Sequence, residues 1–416
     1  MRKRAAALLV TLALLMSGCW DMTEVSDTIY VASIGVDSAG EEFLWSFRLV
    51  EAEKLVLGMM TAVPGEPGLA GGSLSVRSPS LEQAVQMIQP SLGRIVSLEH
   101  VRWIGISEEV ARRGITSLLS QFLRNSQVRR GVSMYVFVGR AVDGFLHNKP
   151  VSDTNSVKFF EGVRLVQKRM HLSPPMQLQH FYTRLMAPGV DPTLALVAVN
   201  FGAKAEPGGE LPPVEGRSFK AGEVPRAGGN PVEFLGSGVF RADRLVGLLN
   251  INQTESLLSL RGELGKVYAS VPDPREAGKL ITLRFHQENK PQYRPSFVGK
   301  RPKVHVKLQF EGELLSTPGT TDYSRPENRR LLERYIAKFL QKEITTGFVE
   351  LVYGEWGADP IGFGQLFRSR FPTQDAWLAY RWPDHVRDLA VTLEIEMFIR
   401  RFGMLLGNPV SEYEGR

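Results

Sequence analysis

Along the first 200 residues the apolar positions switch between two periods. Leu81, Val85, Ile88 and Leu92 recur at helical spacing behind Ser80-Leu81-Glu82-Gln83. That order is a capping box, in which a serine hydroxyl serves the N–H three residues on, so a short amphipathic helix is expected. His100 to Ile106 reads as a buried strand, and Ser107 then starts a second helix with Glu108 and Glu109 in its first turn, where acids favour the helix dipole. Its inner face is Ala111, Ile115, Leu118, Leu119, Phe122 and Leu123. Val132 to Val138 is β-branched or aromatic almost throughout, as a strand covered on both faces should be. The succession is β-α-β.

Beyond residue 232 the pattern is cleaner. Val304 to Phe310 and Leu389 to Phe398 alternate apolar and polar positions, the period of half-buried strands. Between them Leu331, Leu332, Tyr335, Ile336, Phe339, Leu340 and Ile344 run down one helix face behind Ser324-Arg325-Pro326-Glu327, another capping-box order. Asp359-Pro360 predicts a further helix, with an N-cap acid and a proline at the first helical position. Gly362 and Gly364 in its first turn suggest close approach by a neighbour. Residues 201–232 hold seven Gly and five Pro, which reads as a linker. The expected class is α+β, with mixed sheets and flanking helices in three domains: 19–200, a small middle domain at 233–285, and 286–416.

Composition narrows the function classes. With 23% charged and 43% hydrophobic residues, the 416-residue chain is neither disordered nor fibrous. Arg2, Lys3 and Arg4 supply three of its 50 Lys and Arg, leaving 47 against 44 Asp and Glu, too small a surplus to mark a nucleic-acid binder. Those three cations precede an apolar block, Ala5 to Met16, and then the small pair Ser17-Gly18, the layout of a secretory signal peptide. Cys19 is the only cysteine, which excludes an intramolecular disulfide. No later stretch reaches the length of apolar sequence that crosses a bilayer.

Leu15-Met16-Ser17-Gly18 before Cys19 resembles the bacterial lipoprotein box, with Met16 where Leu is commoner. The resemblance implies cleavage after Gly18, a diacylglyceryl group on the Cys19 sulfur and an amine that can be acylated, with palmitate the expected chain. Two or more chains hold a protein to a membrane, whereas one does so marginally. Trp20, Asp21 and Glu24 follow, and then Ile34-Gly35-Val36-Asp37. This string is similar to the start of the Ger(x)C family, the lipoprotein C subunits of spore germinant receptors. Further matching strings are Arg124 and Arg129 around a turn, Gly236-Ser237-Gly238-Val239-Phe240, Leu245-Val246-Gly247-Leu248-Leu249 with Glu255, and Lys303 to Leu314. Asp359-Pro360-Ile361-Gly362-Phe363-Gly364, Trp377, Trp382 and a last strand ending at Gly403 complete the resemblance.

That resemblance implies a three-domain mixed α/β lipoprotein on the outer face of the spore inner membrane. It would be anchored to the bilayer through Cys19, in complex with two polytopic membrane subunits, and act in nutrient-triggered spore germination without a cofactor of its own. Trp20, with Asp21 and Glu24, can sit at the headgroup level or pack on a partner or on the first domain.

No phosphate loop, nucleophile elbow, His-Glu-x-x-His or Cys-x-x-Cys occurs, and the histidines at 100, 147, 171, 180, 286, 305 and 385 lack metal-ligand spacing. Glu394 and Glu396 share one strand face, as an acid pair or as a solvated surface. Trp356, Phe363, Phe367, Trp377 and Trp382 are either core or a subunit-facing patch. The expected function is a non-enzymatic, lipid-anchored receptor subunit that couples or stabilises its polytopic partners. The alternatives are a membrane-anchored solute-binding lipoprotein that captures a small nutrient between its domains, and a cell-envelope hydrolase.

Overall fold

The computed structural model describes residues 27–51, 72–148, 150, 156–202 and 218–402. It is mixed α+β, with two sheets and flanking helices. The first part runs β1 (Thr28–Ala39), β2 (Glu42–Glu51), β3 (Ser73–Ser78), α1 (Leu81–Leu92), β4 (Ile95–Ser97), β5 (Trp103–Ser107), α2 (Glu108–Arg113) and α3 (Thr116–Arg124). Next come β6 (Ser133–Phe137), α4 (Ala141–His147), α5 (Ser156–Met170), β7 (Met176–Gln177), α6 (Leu178–Met186), β8 (Thr193–Val199), β9 (Val232–Arg241) and β10 (Arg244–Leu249).

These strands form one sheet in the order β10-β9-β8-β6-β5-β1-β2-β3, with β4 beside β1 and β7 beside β6. Its centre, β1, β5, β6 and β8, is parallel, which requires crossovers that cover both faces. One face buries Leu81, Ile88, Leu118, Phe122 and Phe181 from the helices, and the other packs Trp103, Tyr135 and Phe137 against Phe145 of α4. Ser80 caps α1 by accepting from Gln83 N at 3.2 Å, and Ser107 caps α2 by accepting from Val110 N at 3.5 Å. The single helix expected after Ser107 is two, because Gly114 breaks it with φ 115°. The expected apolar face still holds across the break, with Leu123 half-buried.

Residues 233–285, expected as a middle domain, are divided between the two sheets. Strands β9 and β10 complete the first sheet by antiparallel pairing with β8 and with each other. Residues 218–231 of the expected linker lie on that sheet. The Ala221 N–H donates to Leu235 O at 3.0 Å, while Gly222 N and Arg226 Nε donate to the buried Glu233 carboxylate at 2.8 and 2.7 Å. Its Gly and Pro thus shape a loop seated on a sheet edge instead of a spacer between bodies.

After β10 comes α7 (Ile251–Arg261), with a reciprocal capping box between Asn250 and Gln253. The second sheet follows: β11 (Val267–Pro272), β12 (Leu280–Gln287), β13 (Gln292–Val298), β14 (Arg301–Ser316) and β15 (Ala390–Arg401). Its central strand, β14, alternates buried and half-exposed residues from Pro302 to Leu314, as the sequence period predicts. Strands β13 and β12 pair antiparallel with successive parts of β14, and β15 pairs parallel to it. The helix α8 (Pro326–Lys342) services β15: Glu333 accepts from Ile399 N at 2.8 Å and Gln341 donates to Leu393 O at 3.1 Å. Ser324 does not cap α8. Its hydroxyl donates to Asp322 Oδ1 at 2.6 Å, and the helix begins at Pro326, whose ring suits the first turn. At Glu343 the helix widens into a π-helix, Glu343–Trp356. Three short helices, α9 (Phe363–Phe367), α10 (Gln374–Tyr380) and α11 (Trp382–His385), lead to β15.

Candidate functional site at the junction of the two sheets

Asp359 lies where the sheets meet, 1% exposed. The helix expected at Asp359-Pro360 starts three residues later, at Phe363, because the aspartate reaches forward over a bend to cap it. Asp359 Oδ1 accepts from Gly362 N at 2.8 Å, Phe363 N at 3.0 Å and Tyr353 Oη at 2.8 Å. Oδ2 accepts from Gly364 N at 2.7 Å and Trp382 Nε1 at 3.0 Å. Burial raises the pKa of this carboxyl above the usual range, while the five donors, which favour the charged form, oppose that rise. With both oxygens fully engaged, Asp359 acts as a joint that gathers the π-helix, α9 and α11.

The joint extends to the first sheet. Asp191, just before β8, donates its N–H to Asp359 O at 2.8 Å, accepts from Asp359 N on Oδ2 at 2.8 Å and from Ala242 N on Oδ1 at 2.9 Å. The carbonyl of Pro360 receives two guanidinium groups. Arg261, at the end of α7, donates Nε at 3.0 Å and Nη2 at 2.7 Å, and Arg184 of α6 donates Nη2. Arg261 also reaches Thr193 Oγ1 of β8 at 3.1 Å, and Arg184 reaches Asp191 O at 3.2 Å. The Arg261 side chain is only 5% exposed, and burial, then the adjacent Arg184 charge, push its pKa down to about 9. It therefore remains a cation at neutral pH, held by carbonyl and hydroxyl oxygens.

Packing repeats the hydrogen-bond pattern. A Cβ on Gly247 of β10 would sit 2.2 Å from the Trp356 ring at the end of the π-helix, and one on Gly364 would sit 2.5 Å from Trp382. Only glycine allows either indole to lie that close. Phe363, Phe367, Trp377 and Trp382 are buried and Trp356 is half-buried, so these aromatics are core and not a surface patch. Tyr353 stacks on Phe363 with centroids 5.5 Å apart, and Phe367 stacks on Trp382 at 5.3 Å.

Strings of residues singled out in the sequence thus converge here: Asp359 to Gly364, Trp377, Trp382 and Gly247. Asp37 performs the equivalent local task inside the first sheet, accepting from Ala141 N at 2.7 Å and Val142 N at 2.9 Å at the start of α4. Glu394 and Glu396 form a ladder of surface pairs, with Lys307 Nζ bonded to both, His305 to the first and Gln309 to the second. Cys19, Gly18, Trp20, Asp21 and Glu24 lie outside the described residues. Among the described residues no helix is long and apolar enough to cross a membrane. Sequence reading missed Arg184, Asp191 and Arg261, since their partners lie 68 to 176 positions away in the chain for most of these bonds. The one local hint is an arginine closing each of two helices.

Comparison with known proteins agrees with this architecture. Residues 21–199 match the family described as "Spore germination protein N-terminal domain", and residues 235–403 match "Spore germination B3/ GerAC like, C-terminal". Similar curated proteins of Bacillus subtilis (strain 168) include putative spore germination protein YfkR, 21% identical with 95% of each chain covered. Spore germination protein KC is 21% identical, with 98% of this chain and 97% of that one covered, and spore germination protein B3 is 19% identical, with 94% and 95% covered. The crystal structure of the GerBC protein shares the fold, with a TM-score of 0.53 at 14% identity over 91% of this chain and 99% of that one. Two successive family matches, the second beginning within β9 of the first sheet and covering the whole of the second sheet, place the chain in the Ger(x)C family, the C subunits of spore germinant receptors.

Proposed function

We propose that the chain is a lipid-anchored, non-enzymatic subunit of a spore germinant receptor that couples or stabilises two polytopic partner subunits during nutrient-triggered germination. In this reading the chain is cut after Gly18, Cys19 carries the lipid, and the body stands on the outer face of the spore inner membrane. Trp20, Asp21 and Glu24 then lie closest to the bilayer and to its partners. The reading is supported by the two germination-family matches and the Leu15-Met16-Ser17-Gly18-Cys19 string, and its coupling part by the junction built on Asp359. Its residues join two sheets through groups whose hydrogen-bonding capacity is already engaged, as suits a rigid part that transmits position. The space between the sheets at this point is filled by Pro360, Arg184, Arg261 and Trp382, which favours coupling over capture of a solute there.

The experiment is membrane fractionation and pull-down from dormant spores, comparing wild type with Cys19→Ala. The expected result is loss of the variant from membranes, loss of the polytopic subunits from its pull-down and weaker germination. Unchanged retention in the membrane argues against the anchor, and a wild-type chain that never recovers those subunits argues against the receptor role.

A further inference from the structure

The hairpin of β13 and β14 ends in a two-residue turn, Gly299-Lys300, closed by the pair Val298 and Arg301. Gly299 supplies the positive φ, 63°, that such a turn needs at its first position. Register then sets one face of the hairpin: Arg294 lies opposite His305, Ser296 opposite Lys303 and Val298 opposite Arg301. Opposed residues share a face, and Pro302, Val304 and Val306 are buried on the other, so these side chains project outward. Val298 is 63% exposed at the apex. The adjacent Phe297, 36% exposed, is braced by Phe367 at 5.1 Å and Tyr380 at 6.2 Å.

Charge on this face is separated along the strands. Lys307 and His305 meet Glu394 and Glu396 of β15, but nearer the turn β15 offers only Thr392 and Ala390. Asp384 and Asp388, which precede β15, are turned to Arg381 and His385. Among the described residues no acid pairs with Arg294, Lys300, Arg301 or Lys303. Arg370, whose Nη2 donates to Pro295 O at 2.9 Å, adds a fifth cation without an acid partner beside β13. Charges on an outer strand guard it against pairing with another chain, but such a guard has no use for an exposed valine at its apex. Cations around an apolar apex suit an anionic lipid surface, whose phosphates meet the charges while the acyl boundary covers the apolar side chain.

We propose that this hairpin rests on an anionic bilayer surface, its lysine and arginine side chains on lipid phosphates and Val298 at the acyl boundary. The contact is additional to a lipid at Cys19 and does not depend on it. The test is therefore made on the full chain carrying Cys19→Ala, sedimented with vesicles of phosphatidylcholine with and without phosphatidylglycerol. Residues 1–18 are common to every variant and cancel in the comparison. Removing three exposed cations, Arg294→Gln, Lys300→Gln and Arg301→Gln together, should weaken binding to the anionic vesicles about a hundredfold and leave binding to neutral ones unchanged. The same charge change on the exposed side of α8, Arg330→Gln, Arg334→Gln and Lys338→Gln together, should weaken it by less than about threefold. Val298→Ser should weaken binding to the anionic vesicles about threefold. The proposal is overturned if the hairpin triple variant binds anionic vesicles as its parent does, if the α8 variant loses as much, or if Val298→Ser binds unchanged, which would mark a site for a soluble polyanion instead.

Discussion

Asp191 and Asp359, 168 positions apart in the chain, are bonded to each other twice. Each donates its backbone N–H to the other, one bond ending on the Asp359 carbonyl and one on the Asp191 carboxylate, both at 2.8 Å. The two carboxylates are thus locked on opposite sides of the boundary between the sheets, and each has a further donor from its own side.

Replacing Asp359 with Asn tests that lock. The amide turns an N–H₂ toward donors that need an acceptor, leaving at least one buried group unsatisfied, so a loss of about 3 kcal/mol in urea unfolding is expected. A change below the error of the measurement would mean that the joint is not held by this carboxylate.

Gly247→Val should also destabilise, by about 2 kcal/mol, because its side chain enters the space of the Trp356 ring. In a double-mutant cycle with Trp356→Ala the two costs should fall well short of adding. Strict additivity would show that the two positions do not touch.

Glu276 gives a pH signature outside the junction. Lys279, then the Thr321 backbone, together with Thr320, hold its carboxylate down to about 2 from an unperturbed 4.5. The folded value lies below the unfolded one, so the stabilisation is complete above about 4.5 and lost as pH falls toward 2. Urea stability of wild type and Glu276→Gln should therefore differ most above that window and converge at its acidic end. Parallel curves would contradict the assignment.

Lys307 sits between Glu394 and Glu396, and its removal should leave two carboxylates facing each other on one strand. Lys307→Met is expected to destabilise slightly at low salt, with the difference vanishing as ionic strength rises, since all three groups meet solvent. A penalty independent of salt would point to lost packing.

Local rules were legible in the sequence where a residue serves its own helix or strand. Ser80, Ser107 and the alternation of β14 follow from spacing alone. The expectation at Ser324 fails because Asp322, two residues upstream, competes for its hydroxyl. At Asp359 it fails because the cap acts across a bend, a geometry that adjacency cannot reveal. The apolar stripe of α8 reads as an ordinary helix and carries only Ile344 into the π-helix, so the widening at Glu343 leaves no mark in the spacing. The Gly/Pro count separates strand β9 from its sheet, whereas its pairing with β8 is a long-range fact. The junction itself was visible only as unexplained strings, because Gly247 and Gly364 matter for the indoles that sit on them.

The central claim, that a lipid at Cys19 holds this body beside membrane partners, is tested most directly by mass spectrometry of the mature amino-terminal peptide from spores. The account predicts a chain beginning at Cys19 with a diacylglyceryl thioether. A chain that keeps residues 1–18, or one whose Cys19 is a bare thiol, would contradict it.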